Sequence, residues 1–429
     1  MRVILSYGLG VDSTAILVRW LLDPSSRDFE LRDLTVVTAQ VGHEFPDTRE
    51  LVEAHVVPLL RQHGVRYVQV GRSGRSVNDW RVLSDTREPT RCHTEGGGFT
   101  LMDESLASAT VPQKGGARKC SQKFKGAPLD QWIERELGGA PFRHAIGFEL
   151  DERGRVARDE VLRHDAPERR NVRVGRHPEY PLVAWGWDRA RCVAYLREVF
   201  GVDWPKSACT FCPFSDNARG LPSHVARLGR YPDLAAQGAM MEWVAMALNP
   251  RQPLYTLRGD YQDVVVGTSP AVAQAFERQL ASVRWAVYRV RRAWVLNRKG
   301  KPQCAGRDVE CVATHATREA AEHELGELAR RLWVHVVPQG RTVAAVLRPK
   351  PDGAGREELY VVAPHAPEAK TGRGFSRAWE ELEPVRLPVV TPGRDAQHQE
   401  PPSRPSPQRR RRDPRSGRAG PGATDERER

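Results

Sequence analysis

No stretch of the 429 residues approaches 18 uninterrupted apolar positions, which removes a membrane-spanning helix from consideration. The N-terminus lacks the basic, apolar and small-residue order of a signal peptide, and the two absences together predict a cytoplasmic protein with no membrane partner. Lysine is scarce: nine of the 66 basic residues are Lys and the rest Arg, so the net charge of +12 reads as coding bias and alone decides little about nucleic acid. Cysteine is sparse too, seven in all. In an intracellular chain so few do not make a disulfide framework, and clustered ones are read first as metal, cluster or redox candidates. No internal repeat is present. At 40% hydrophobic content the chain can bury a full core and has room for more than one domain.

Over the first 72 residues, strand-like and helix-like pieces alternate: RVILSY, TAILVRWLLD, DLTVVTAQV, DTRELVEAHVVPLLRQHG, VRYVQVG. This βαβαβ order predicts an α/β fold with a parallel sheet covered by helices, and ligands at the strand ends. Residues 73–118, rich in Gly, Ser, Thr and Arg, read as long loops over the sheet. APLDQWIERELG and the runs at about 218–230 and 232–248 read as helices, as does the segment that Asp188 caps and Gly201 ends. From 283 the pattern becomes that of antiparallel strands around one helix. The expected organisation is a nucleotide-binding and catalytic domain at 1–250, a connector at 251–282, a small α+β domain at 283–386 and a disordered Pro/Arg-rich tail at 387–429.

The turn after the first strand, SYGLGVDS, is defined partly by what it omits. No Gly-Lys-Ser/Thr follows, so it is not a Walker loop, and the third glycine of the dinucleotide fingerprint is missing. What remains is a glycine turn between strand and helix, which aims unpaired N–H groups at an anion, phosphate or pyrophosphate by preference. Gly8 and Gly10 let the backbone approach, Ser13 adds a hydroxyl donor, and Asp12 is placed to hold nucleotide-bound Mg²⁺. An ordinary tight strand-to-helix turn with Asp12 or Ser13 as cap is the plainer alternative.

Strand, SYGLGVDS, helix resembles the PP-loop, Ser-Gly-Gly-x-Asp-Ser, of the adenine nucleotide alpha-hydrolase superfamily, and within it the phosphoadenosine phosphosulfate (PAPS) reductase family. Four further segments fit that family in order: VTAQVGHEFPDTRELV; KCSQKFKGAPLDQWI; IGFELDERGRVAR; and YPLVAWGWDRARCVAYLREVFG followed by CTFCPF. The similarity covers about residues 1–245. One departure stands out, Gly8-Leu9-Gly10 in place of Ser-Gly-Gly, with a serine two positions earlier at Ser6. The resemblance implies a Rossmann-like, adenine nucleotide alpha-hydrolase-like sheet with helices on both faces. It also implies ATP with Mg²⁺, bound by Ser6, Tyr7, Gly8, Gly10, Asp12, Ser13, Glu44, Lys125, Glu152 and Arg155. For His43 and Glu44 loop solvation is the plain alternative, and for Asp151, Glu152 and Arg155 a surface turn.

Cys209 and Cys212 stand as Cys-Thr-Phe-Cys-Pro, a spacing that lets two thiolates face one metal or cluster. Cys120 lies in the basic run RKCSQKFK, where Arg118, Lys119, Lys123 and Lys125 favour a thiolate or an anionic substrate. Cys192 is the candidate fourth ligand, level with a reading as a buried core residue, and Cys92 is the other. A centre with three thiolates and one open iron is a further option. The resemblance, rather than the spacing, favours a [4Fe-4S] cluster over Zn²⁺ or a redox pair.

Three functions follow. In the first, Asp12, Ser13, Cys120 and Lys123 are the catalytic residues of an ATP pyrophosphatase that adenylates a substrate for sulfur transfer. The second is a sulfonucleotide (PAPS/APS) reductase, which expects a nucleophilic Cys, often near the C-terminus; none follows Cys311. The third is a non-catalytic nucleotide- or nucleic-acid-binding component using Arg409 to Arg412 as a phosphate-binding arm. The partners left open are nucleic acid and a sulfur-donor protein.

Overall fold

The computed structural model describes residues 1–115, 118–164 and 175–382; the tail at 387–429, with its arginine run, lies outside the described residues. Six strands form the first sheet: β1 (Val3–Ser6), β2 (Leu34–Gln40), β3 (Arg66–Arg72), β4 (Trp80–Thr86), β5 (Phe142–Ile146) and β6 (Arg176–Glu179), in the order β4-β3-β2-β1-β5-β6. All neighbours are parallel except β3 and β4.

β1 lies near the middle, and its unbroken VIL run is what a strand covered on both faces requires. Side chains alternate: Val3 and Leu5 join a cluster with the Val11–Leu22 and Arg189–Phe200 helices, while Ile4 packs with Trp132 and Ile133 of the Ala127–Leu137 helix. The chain leaves β1 toward β2 and β3 on one side and returns to β5 and β6 on the other. A crevice therefore opens where the order reverses, at the carboxyl ends of β1, β2 and β5.

The loops expected at 73–118 contain two elements. β4 is an antiparallel edge strand with an exposed face, so its sequence carries no apolar run. The Leu101–Ser108 helix starts on a capping box, Thr100 and Asp103 each bonding the other's backbone N–H, and this T-x-x-D pattern was its signal. Asp188 and Gly201 take up the expected cap positions: the Asp188 carboxylate accepts from Arg191 N at 2.7 Å, and Gly201 adopts φ +71°.

A second six-stranded sheet, wholly antiparallel, follows: β7 (Trp285–Leu296), β8 (Pro302–His315), β9 (Val336–Gln339), β10 (Thr342–Arg348), β11 (Gly355–Pro364) and β12 (Lys370–Thr371), in the order β12-β8-β7-β11-β10-β9. The Arg318–Arg331 helix packs on it, capped by Thr317. One apolar cluster runs from Val41 and Phe45 through the Pro232–Leu248 helix to Val287 and Val361, and residues Met1–Pro384 form one compact unit.

The Pro232–Leu248 helix is apolar almost all round, as a helix walled in by neighbours must be. Its one buried acid, Glu242, accepts from the backbone N–H groups of Leu254 (2.7 Å), Tyr261 (2.9 Å) and Gln262 (3.0 Å), and so ties down the connecting segment. Glu242→Leu leaves three buried donors unpaired. The expected cost is about 3 kcal/mol or more, read as a lower urea midpoint; an unchanged midpoint would show that water replaces the carboxylate.

Candidate functional site

The crevice at the strand ends is a cleft of about 660 Å³. Its floor is the Ser6–Ser13 turn; β2 supplies Thr38 and Gln40, and β5 supplies His144 and Ile146, followed by Gly147 and Phe148. The turn folds on its own polar groups. Gly8 N donates to Ser13 Oγ at 3.1 Å, and Thr14 Oγ1 donates to Gly10 O at 2.8 Å. No side chain caps the Val11–Leu22 helix at Gly10, and its first turn, from Gly10 to Ser13, lines the cleft.

Leu9, where the motif has glycine, adopts φ +61° with its side chain 3% exposed. Left-handed backbone costs a leucine roughly 1–2 kcal/mol, comparable to what burying its side chain returns, roughly 1.5–3 kcal/mol. Trp204 Nε1 also donates to Leu9 O at 3.1 Å. Burial in the core thus offsets the cost of the left-handed Leu9. Gly147 approaches from β5: a Cβ there would stand 3.0 Å from Ser13 N.

Asp12 Oδ2 accepts from Arg189 at 2.7 Å, while its Oδ1 is buried without a partner among the described residues. Burial pushes the Asp12 carboxyl up to about 6, against the pull of Arg189. Glu152 does not line the cleft. It pairs with Arg155, whose guanidinium lies 4.2 Å from the centre of the Phe148 ring, and its charge acts on Asp12.

Glu44 lines the cleft, yet its carboxylate is already engaged: Oε2 accepts from Ser207 Oγ at 2.7 Å and Oε1 from Ala208 N at 3.0 Å. Ser207 Oγ also lies 2.9 Å from Gly8 O, so Glu44 joins the glycine turn to the cysteine loop. A β-bridge pairs Glu44 with Cys209, and Thr210 N donates to His43 O at 3.0 Å. The VGHEF segment thus hangs the CTFCP loop on the end of β2, and the His43 ring turns to Phe211 rather than to the cleft.

Cys209 lines the same cleft as the glycine turn. Burial first, then the charges of Cys212 and Cys120, hold the Cys209 thiol above its ordinary pKa, and burial with Cys212 does the same to Cys120. The Cys209 thiol thus senses the charges of both Cys212 and Cys120. Lys125, also on the cleft, acts on Cys209 and Cys120 in the opposite sense and has no ion-pair partner among the described residues. Among the described residues no three His, Cys, Asp or Glu side chains converge as a preformed metal site. As donors, thiols suit a thiophilic metal centre by their chemistry.

Lys123, Cys192 and Cys92, like Glu152, do not line the cleft. Lys123 leaves the cleft because its π-helical turn, Gln122–Gly126, aims it at Glu104, which Arg72 also holds at 2.6 Å. Cys192 is fully buried in the cluster with Leu182, Leu196 and Val18, and no other candidate thiol but Cys92 shares that cluster; burial pushes it up to about 12. Cys92 is likewise a core residue, accepting from Gln40 Nε2 at 3.2 Å. Tyr7 serves the cleft through its backbone, its ring being buried against Tyr67.

Sequence reasoning missed His144, Asp159, Arg176 and Arg189, all on the cleft wall. One signal was present: Arg189 sits in the first turn of a helix, where the dipole disfavours a cation unless an acid such as Asp12 faces it. Neither protein-family models nor curated proteins give a match to the chain.

Proposed function

We propose that the chain is a PP-loop ATP pyrophosphatase of the PAPS reductase type, which adenylates a substrate and passes sulfur to it. One observation carries this reading: the uncapped glycine turn and Cys209 line a single cleft, and the charges of Cys212 and Cys120 act on Cys209. The sheet order, with the cleft at the reversal beside β1, supports a Rossmann-like, adenine nucleotide alpha-hydrolase-like domain.

The helix N–H groups and the Ser13 hydroxyl receive the pyrophosphate oxygens, while Arg155 and Lys125 offset the remaining phosphate charge. Asp12 Oδ1, the buried oxygen without a partner among the described residues, is the atom suited to Mg²⁺, which when bound would offset charge on the leaving group. A substrate oxygen attacks the α-phosphorus, the α–β anhydride bond breaks, and pyrophosphate leaves with the bonding electron pair. A hydrosulfide ion, presented from the Cys209 side of the cleft, then attacks the activated carbon, the carbon–oxygen bond breaks and AMP leaves with the electron pair. An iron–sulfur centre on the Cys120, Cys209 and Cys212 thiols would supply the site that holds the sulfur.

Pyrophosphate release from ATP by anaerobically purified protein tests this; sulfite release from a sulfonucleotide without pyrophosphate would replace it with the reductase reading. Gly147→Ala gives a finer check. A Cβ pressed on Ser13 N displaces the turn by a few tenths of an ångström, and ATP affinity is expected to fall about tenfold, since misplacement on this scale is costly in a positioned site. Unchanged affinity would mean that nucleotide does not use this turn.

A further inference from the structure

His144 is a buried imidazole on the cleft wall that the mechanism above does not use. It lies on β5 opposite Ile4 of β1, 6% exposed. An imidazole beside a phosphate site invites a role as general base, and its partners forbid that role.

On one side, Arg176 of β6 places Nε 2.7 Å from His144 Nδ1. Arginine has only donors, so Nδ1 must accept, and the imidazole proton resides on Nε2. On the other side, Nε2 lies 2.7 Å from Ser6 Oγ and therefore donates to it. Arg176 is fixed in turn by Asp159 of the Arg153–His164 helix, with contacts of 2.7 and 3.3 Å, and Tyr180 donates to the same carboxylate at 2.8 Å. The order Asp159, Arg176, His144, Ser6 thus runs from the helix across β6 and β5 to the end of β1.

Direction is the consequence. Arg176 is anchored by donating to Asp159, and from Arg176 onward each bond is donated toward Ser6, Arg176 to His144 and His144 to Ser6; the Ser6 oxygen is used as an acceptor while its own hydrogen finds no protein acceptor among the described residues. Ser6 lines the cleft. The geometry points to His144 and Arg176 as positioning residues that fix Ser6 as a hydrogen-bond donor to an acceptor atom of the bound nucleotide. The row carries no proton to solvent, because Arg176 cannot accept one. Burial, and then Arg176, hold His144 down to about 3, with Asp159 the opposing charge, so it stays neutral throughout the working range.

The ligand rests on the nucleotide reading; the row of bonds does not. Two measurements on the full chain separate them. In ¹⁵N-histidine NMR without ligand, His144 is expected to carry its proton on Nε2 and not to titrate between about pH 5 and 8, near the ordinary histidine range, and Arg176→Leu is expected to bring it into titration or change its tautomer. A proton on Nδ1, or titration near the ordinary value in the unmodified chain, overturns the row whatever binds. In ATP titrations, Ser6→Ala and Arg176→Leu are each expected to weaken binding about fivefold to tenfold, as the loss of one directed hydrogen bond does. The double variant should be no weaker than either single one, and Ser6→Thr, which keeps the hydroxyl, should restore affinity. Full affinity in Ser6→Ala, or additive losses, overturns the donor role. An unmodified chain that binds no ATP overturns the nucleotide reading and the assigned ligand together, and the NMR result then stands or falls alone.

Discussion

Asp12→Asn is expected to lower pyrophosphate release from ATP at least about 100-fold while ATP affinity changes by less than about tenfold. The two effects divide because the turn divides its work. The helix N–H groups, Gly8, Gly10 and Ser13 remain in the variant, so most of the phosphate cradle survives. Oδ1, without a partner among the described residues, is buried at the cleft floor and offers the carboxylate charge that Mg²⁺ would meet, and an amide does not replace it. Offsetting charge on a leaving group contributes several kcal/mol, with about tenfold in rate for each 1.4 kcal/mol. Arg189 would not make up the loss, since it already spans to Oδ2. Equal rates in the variant and the unmodified protein would remove Asp12 from the chemistry.

Cys120→Ser, Cys209→Ser and Cys212→Ser should each lose most of the iron and sulfide that the unmodified chain retains after anaerobic reconstitution, and most of its visible absorbance. Cys192→Ser should keep both. The contrast follows from placement. Cys209 lines the cleft and feels the charges of Cys212 and Cys120, whereas Cys192 is packed in the apolar cluster with Leu182, Leu196 and Val18. Its hydroxyl substitute is expected to cost about 1–3 kcal/mol of stability through an unsatisfied buried polar group, seen as a lower melting temperature. Iron lost in Cys192→Ser and kept in Cys120→Ser would reassign the ligands, and stoichiometric zinc in place of iron would make the centre structural.

The legible parts of this protein were those in which local chemistry and tertiary role coincide. β1 declared itself because a strand covered on both faces must be continuously apolar, and Asp188 and Gly201 marked a helix because capping is local. β4 was hidden by its exposed edge, which lets polar residues occupy the outer positions. The Leu101–Ser108 helix carried a capping box inside a stretch whose glycines suggested only loops.

At the site, the glycine turn, Lys125, Arg155 and Cys209 were legible and share one cleft. Lys123 and Cys192 were not separable from their neighbours by spacing. A π-helical turn rotates Lys123 onto Glu104, and helix packing decides that Cys192 faces the core. Glu44 was placed at the right strand end, but its ties to Ser207 and Ala208 are about 163 and 164 positions distant in the chain and leave no mark in local sequence. The same holds for Ser6, His144 and Arg176, which meet only because β1, β5 and β6 lie side by side.

The most direct test is to present anaerobically purified protein, in parallel, with MgATP and with a sulfonucleotide, and to measure pyrophosphate and sulfite. The account expects pyrophosphate from ATP, lost in Asp12→Asn, and no sulfite. Sulfite from the sulfonucleotide with no pyrophosphate from ATP would contradict it.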